Sequence, residues 1–423
     1  MTLDATQPLT VLAEIDPARA LALPGILDAV AVDLAAQLDL PDTHFMRLLI
    51  IDDARRQLAP ILAWESNYDG PLDDYLAAIL AAVPRLDAAF ACCVDYPGAA
   101  DPDARVRWLR ARTHHAAAFY TGYRGVQRRQ VVNDDRLHTA LREAADRERK
   151  SLGKKSPAAV QRLLVESVRA AHPELETSDP GDDELRWTVS QALALLAILA
   201  VLPIVLVLAG PWYLLLRRRE ASDVPDVDPR PVWDDGDHHD HEDQDGVAQN
   251  QLTHLVDIKP GWFSLVTVWI VLTVIDLAAR VYFVRGNLGG ITDIHFARWV
   301  IVLDRRDGIA PAQRRHRLLF FSNYDGSWES YLGEFVDRAS SGLTAVWSNT
   351  NGFPRTQNLV GLGSRDEEAF KQWARSHQVH TEAWWPGPRG STVQNVRDDV
   401  TLRRGFAKPA TDDDAARRWL ELL

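Results

Sequence analysis

Sulfur is scarce in this chain: two cysteines, Cys92 and Cys93, and two methionines occur in 423 residues. Adjacent cysteines rarely bridge one another, and two are too few for a disulfide framework, so the composition fits a reducing compartment. Several motifs are missing as well. There is no P-loop, no Rossmann glycine fingerprint, no GxSxG elbow and no Cys-x-x-Cys zinc site, which removes the commonest nucleotide, acyl-transfer and zinc-finger readings. Positive charge is in deficit, with 47 Lys and Arg against 59 Asp and Glu and a formal net charge of −12. Nucleic acid is therefore not expected as a partner, because phosphate binding needs a basic face. The first sixteen residues hold neither a basic stretch nor a long apolar run. They do not read as a secretory signal, and the first half is expected in the cytosol.

What is abundant is tryptophan, with fourteen residues, many of them in the second half: Trp262, Trp269, Trp299, Trp328, Trp347, Trp373, Trp384 and Trp385. Tryptophan gathers in cores, binding sites and membrane interfaces.

The chain is also internally duplicated. Four blocks recur in the same order. Leu9 to Pro17 matches Leu252 to Pro260. Thr43-His44-Phe45-Met46-Arg47-Leu48 matches Ile294-His295-Phe296-Ala297-Arg298-Trp299. Glu65-Ser66-Asn67-Tyr68-Asp69-Gly70 matches Phe321-Ser322-Asn323-Tyr324-Asp325-Gly326, each followed by a Tyr-Leu pair. Phe119 to Gly125 matches Trp384 to Gly390. Four matches in register establish a repeat.

Hydrophobic periodicity and turn residues give each copy the same course. A strand stops at Pro17 or Pro260. A helix follows over residues 21–38 or 262–283, then strands over 47–52 and 61–65 or 298–304 and 317–321. The Asn-Tyr-Asp-Gly turn launches a helix over 72–82 or 328–339. Copy two continues with a helix over 366–377 and a strand over 381–385. This β-α-β-β-α-β order predicts an α+β fold of two tandem ferredoxin-like units, paired as a pseudo-symmetric α/β barrel. The expected layout is unit one in 1–150, a helical connector in 151–186, an apolar segment in 187–216, an acidic His-rich linker in 217–249 and unit two in 250–423.

Residues 187–216 are almost uniformly apolar, and about 20 such residues cross a bilayer core. Trp187, Trp212 and Tyr213 flank the segment as interface anchors would, and Arg217, Arg218 and Arg219 follow at once, which the positive-inside rule places in the cytosol. One crossing would set the repeats on opposite sides. Residues 262–283, apolar except for Asp276 and Arg280, are the candidate return, yet the repeat strand 252–258 precedes them. Two arrangements follow. Either Pro203, Gly210 and Pro211 break the segment into a re-entrant or interfacial hairpin with both units on the cytoplasmic side, or both segments cross and unit two is assembled differently.

The linker holds Asp234, Asp235, Asp237, His238, His239, Asp240, His241, Glu242, Asp243 and Asp245. It reads as a solvated acidic linker, with metal binding through His238, His239 and His241 as the alternative. The strongest constellation is His295, Arg298 and Asp325 with its counterpart His44, Arg47 and Asp69. A hairpin brings the start of one strand to the end of the next, so these residues share one end of each sheet. They are candidates for proton transfer or anion binding, and equally for a structural clasp, since Asn-Tyr-Asp-Gly is a natural turn and helix cap. Asn323, Tyr324, Trp347, Asn349, Asn351 and Arg389 are the candidate substrate-binding residues, because pockets combine aromatic walls with a few polar groups.

Residues 250–256, 287–291, 295–299, 319–329 and 342–350, from Asn250-Gln251-Leu252 to Trp347-Ser348-Asn349-Thr350, resemble an uncharacterised group of bacterial membrane-associated proteins. The resemblance implies a membrane-associated protein and assigns no activity. At fold level the tandem units are similar to dimeric α/β-barrel proteins, including haem-dependent dye-decolorising peroxidases. Their Gly-x-x-Asp-Gly motif is approached by Ser322 to Gly326, with Ser in place of the first Gly, so haem is a possible cofactor without an assignable proximal ligand. Three functions compete: binding or acting on an apolar small molecule from the bilayer, haem peroxidase-like oxidation, and a non-catalytic membrane scaffold or interaction protein.

Overall fold

The computed structural model describes residues 6–52, 59–153, 155–178, 184–223, 248–281, 288–306, 309–310, 313–387 and 390–423. The first repeat comprises β1 (Thr6–Glu14), α1 (Leu23–Ala36), β2 (Thr43–Ile51), β3 (Ile61–Asp69), α2 (Leu72–Ala82), α3 (Arg85–Phe90), α4 (Pro102–Ala111), β4 (Ala118–Thr121), α5 (Arg128–Leu152) and α6 (Pro157–Ala171). One long helix, α7 (Glu184–Ser222), leads to the second repeat. That repeat comprises β5 (Gln249–Asp257), α8 (Trp262–Val281), β6 (Ile294–Val302), β7 (Arg317–Asp325), α9 (Trp328–Trp347), β8 (Thr356–Gln357), β9 (Gly361–Leu362), α10 (Glu367–Ser376), β10 (Ala383–Trp385), α11 (Val393–Ala407) and α12 (Asp413–Leu420).

The protein is thus mixed α and β with antiparallel sheets. Strands two and three of each copy are longer than their apolar runs suggest, because pairing continues through the His-Phe and Ser-Asn-Tyr-Asp blocks. Helix α9 runs past its expected end at Ala339, where φ −125° and ψ 18° mark a kink between two joined helical stretches.

Sheet one has the order β1-β3-β2-β10 and sheet two the order β4-β6-β7-β5. Each sheet therefore holds a strand of the other repeat: β10 pairs with β2 and β4 with β6. Just before each exchanged strand, the chain also runs along the first strand of its own repeat. Leu12 N donates to Arg112 O and His114 N to Thr10 O beside β1, while Leu255 N donates to His377 O and Val379 N to Thr253 O beside β5.

Alternation along each strand splits the core in two directions. Met46, Leu48, Leu62 and Trp64 point to the helices over sheet one, and Ala297, Trp299, Leu318 and Phe320 to those over sheet two. The opposite faces meet between the sheets. There Leu12, Leu49, Ala63, Val300, Leu319 and Phe321 form one apolar layer, and Phe45, Phe119, Tyr123 and Phe296 an aromatic one.

The duplication extends further than the sequence blocks. Helices α5, α6, α11 and α12 pack together around Leu141, Leu164, Leu402 and Phe406. Two buried pairs tie α5 to α11: Asp134 with Arg403 at 3.3 Å and His138 with Asp399 at 2.6 Å. Counted from each helix start, both acids occupy one position and the two basic residues another, so the pairs are reciprocal.

The expected break at Pro203, Gly210 and Pro211 is not seen. Helix α7 runs through both prolines, where each proline removes one backbone donor without ending the helix. Helix α8 carries the repeat's crossover and lies on β4. Phe119 N donates to Asp276 Oδ1 at 3.2 Å, and Arg124 caps the carbonyl of Arg280 at 2.8 Å.

Candidate functional site

His44 and His295 each sit where the strand register slips by one residue. Thr43 faces Tyr68 and Phe45 faces Asn67, while Ile294 faces Tyr324 and Phe296 faces Asn323. The extra residue is a β-bulge, which re-aims its side chain. Both imidazoles are buried, and each meets the aspartate at the end of the adjacent strand. His44 Nε2 lies 3.1 Å from both Asp69 oxygens. His295 Nε2 lies 2.8 Å from Asp325 Oδ1. The expected meeting of His and Asp at one sheet end is therefore present in both copies.

The aspartates are shared with helix starts. Asp69 Oδ2 accepts from Arg128 N at 2.5 Å, and Asp325 Oδ2 from Val393 N at 2.7 Å. These are the first backbone amides of α5 and α11, so each carboxylate caps an orphan donor at a positive helix end. Burial alone would raise the Asp69 carboxyl, but His44, the Arg128 amide and Thr6 hold it below its ordinary range.

The backbone beside each pair is equally constrained. A Cβ at Gly122 would stand 2.3 Å from Ile294 O, and one at Gly387, where φ is +74°, 2.1 Å from His44 O. Glycine is required by close approach at both matched positions.

Tyr123 breaks the symmetry. Its hydroxyl lies 3.2 Å from His295 Nδ1, and burial followed by the nearby Asp325 raises the phenol well above its ordinary range. The two ring nitrogens are thus both engaged, Nδ1 with the phenol and Nε2 with Asp325. This Asp-His-Tyr chain is enclosed: His295 is 1% exposed and Tyr123 8%. Its residue types suit a proton relay, but the imidazole packs against Phe45 and edge-on to Tyr123 instead of facing solvent.

Arg298 and Arg47 do not join these pairs. They lie in the interior between the sheets and reach across it. Arg47 donates to Ser322 O at 2.8 Å, Leu252 O at 3.0 Å and Asn323 Oδ1 at 2.6 Å. Arg298 donates to Ser66 O at 2.9 Å, Leu9 O and Asn67 Oδ1. Glu65 joins them, taking Arg47 Nε at 2.9 Å and Arg298 Nη2 at 2.6 Å. Burial pushes Arg298 down to about 10, opposed by Glu65. The second repeat has Phe321 at the position of Glu65. Asn67 Nδ2 donates to Glu65 at 3.0 Å, whereas Asn323 Nδ2 is buried with no partner among the described residues.

The candidate substrate-binding residues divide. Asn323 is buried and serves Arg47, and Tyr324 stacks on Tyr331 at 3.8 Å in the helix-side core. Trp347 is buried against His254 and Trp373. Asn349 O accepts from Lys259 N at 2.8 Å, and Asn351 N donates to Asp257 O at 2.9 Å. These contacts are at the end of β5, beside Arg317, the first residue of β7. Asp325 is the last residue of β7, about 26 Å away at strand rise. Trp347, Asn349 and Asn351 therefore do not share a site with His295 and Asp325, because they occupy opposite ends of one sheet. Arg389, His238, His239 and His241 lie outside the described residues, as does the side chain of Trp187. Among the described residues no group of three metal-ligating side chains occurs.

Haem does not fit at Asp325. Both nitrogens of His295 and both oxygens of Asp325 already hold bonds within the protein, and aromatic side chains fill the space beside them.

The other distinctive surface is apolar. Helix α7 runs antiparallel to α8: Gln191 Nε2 donates to Val281 O at 2.7 Å, and Trp212 stacks on Phe263 at 4.3 Å. Leu193, Leu196, Leu199, Val207, Leu208 and Leu214 of α7 are exposed, with Trp262, Trp269 and Val274 of α8 beside them. The stretch of α8 has a mean hydropathy of 2.0 and is long and apolar enough to cross a membrane, yet its inner face is packed on the protein. The matched helix α1 instead exposes Asp28 on its outer face.

No protein-family model matches the chain, and neither does any curated protein or solved structure compared with it.

Proposed function

We propose that the protein is a non-catalytic, membrane-associated interaction protein. In this reading two ferredoxin-like units pair as a pseudo-symmetric α/β barrel, and the exposed α7–α8 face rests in one leaflet of a bilayer. The observation that carries it is the apolar outer surface of two antiparallel helices, on which Leu193, Leu196, Leu199, Trp269 and Val274 are exposed. Monomeric soluble proteins rarely expose contiguous patches above a few hundred Å².

The exchange of β4 and β10 supports a side-on arrangement over a crossing. Each sheet needs strands from both repeats, so both repeats belong on the same side of the membrane. The strands before and after α8 share one sheet, so α8 returns to the body it left. Arg217, Arg218 and Arg219 favour the cytoplasmic side. The closed hydrogen bonding of His44, Asp69, His295 and Asp325 supports a structural role for these residues over action on an apolar small molecule.

Flotation of the full chain with phosphatidylcholine vesicles tests the reading. The wild type should float with the vesicles. Trp269→Glu with Val274→Glu, placed on the outer face of α8 and away from the core, should leave the protein folded and in the soluble fraction. A wild-type chain that is soluble without detergent and stays at the bottom of the gradient would overturn the proposal.

A further inference from the structure

The apolar face has one charged end. At the C-terminal end of α7, exposed Tyr213, Leu214 and Leu215 give way directly to Arg217, Arg218 and Arg219. Trp212 and Trp262 sit at the same end, 6.0 Å apart between ring centroids. Apolar side chains, indoles and cations gather at this end, as they do where a membrane-bound surface meets headgroups.

Of the described acids at this end, Glu220 faces inward and Asp223 is half-buried. Glu220 is 7% exposed. Its carboxylate accepts from Asn358 N at 2.9 Å, Leu359 N at 2.7 Å and Arg217 Nη1 at 2.9 Å. Those contacts pin the helix end to the turn between β8 and β9, and Tyr213 adds a bond to Asn358 at 3.0 Å. Asp223 pairs with Lys259. The cations are less neutralised. Arg219 touches uncharged groups: Ser264 Oγ at 3.3 Å, Pro260 O at 3.5 Å and the face of Phe263. Arg218 is exposed, with no ion-pair partner among the described residues. Among the described residues, no acid is bound to Arg218 or Arg219.

Resting on the membrane reading above, we propose that this rim selects anionic phospholipid headgroups, with Arg218 as the main contact and Glu220 as the residue that holds the rim in place. Basic residues beside an apolar surface add roughly fivefold each to the affinity for an anionic bilayer. The chain's net charge of −12 opposes any general attraction, so the preference depends on charges within a Debye length, about 8 Å at physiological salt, of the headgroups.

The test compares the full chain on vesicles of phosphatidylcholine alone and on vesicles of equal parts phosphatidylcholine and phosphatidylglycerol. The wild type should bind the anionic vesicles on the order of tenfold more tightly, and high salt should remove most of the difference. Arg218→Gln should shrink the preference by about fivefold while leaving binding to phosphatidylcholine unchanged. Circular dichroism of this exposed variant would verify its fold, and the salt dependence of the wild type is an independent readout. Equal binding to both vesicles, or a preference untouched by salt and by Arg218→Gln, overturns the headgroup proposal and leaves the membrane reading standing. Binding to neither vesicle overturns both.

Discussion

Ser66 and Ser322, the same position in the two repeats, each accept through their backbone carbonyl from the arginine of the other repeat, Arg298 at 2.9 Å and Arg47 at 2.8 Å. The two halves are thereby joined through charge-assisted bonds to fixed main-chain atoms. Such bonds are stronger than neutral ones and hold a defined register. The cost is two buried guanidinium groups served by a single buried carboxylate.

Glu65 should consequently be among the most sensitive positions of the chain. Glu65→Leu leaves both guanidiniums buried without a counter-charge, and removing one partner of a buried ion pair costs about 3–5 kcal/mol. Urea unfolding should show this loss. A cost below about 1 kcal/mol, as for an exposed pair, would mean that the carbonyls alone satisfy the two arginines.

Gly387 and Gly70 separate crowding from backbone strain. Both have positive φ, +74° and +86°, but a Cβ at Gly70 meets nothing within 4 Å while one at Gly387 lies 2.1 Å from His44 O. Gly70→Ala should cost about 1–2 kcal/mol for the left-handed backbone alone. Gly387→Ala should cost about 3 kcal/mol or more, because overpacking is added. Thermal melts of the two variants give the comparison.

Asp134 sets a pH dependence on the helical layer. Burial raises its carboxyl from 3.8 to about 6, with Arg403 opposing. Between those values the folded protein keeps a proton that the unfolded chain releases, so this group's contribution to stability falls as pH rises through that window. Asp134→Asn does not titrate. The stability of the wild type relative to this variant should therefore decline across the window, which denaturant titrations at several pH values would measure.

Asp69 has the opposite sign. Its carboxyl is held low in the folded protein, so its contribution is present above the ordinary carboxylate range and lost as pH falls through the folded value. Asp69→Asn should cost about 1–3 kcal/mol at neutral pH and progressively less in acid. A comparable loss of stability at neutral pH in Asp325→Asn, with vesicle binding of the folded variant unchanged, would support the clasp over a catalytic role.

Much of the frame was legible because the chain repeats itself. Matching Asp69 with Asp325 and His44 with His295 located the strand ends before any contact was known, and the helix over residues 72–82 has the bounds found for α2. The bulges at the two histidines were not legible, since a one-residue slip leaves no mark in composition. The exchange of β4 and β10 was hidden for a similar reason: an antiparallel edge accepts any strand of suitable pattern, and the sequence does not name its partner. Trp347 and Asn349 were assigned to the pocket on residue type, yet their distance from Asp325 depends on the length of β7, which the short apolar run 317–321 understated. Glu65 carried a signal that went unused, as the charged member of a repeat pair whose other member is Phe321.

The strand exchange also orders events during synthesis. Sheet one lacks its outer strand until residues 383–385 have been made, and those are among the last forty or so of 423. Helix α7 leaves the ribosome well before that moment. The first repeat must therefore wait, unfinished at one edge, while the most water-averse stretch of the chain is already made; under the membrane reading proposed above, attachment to a lipid surface would precede completion of the fold.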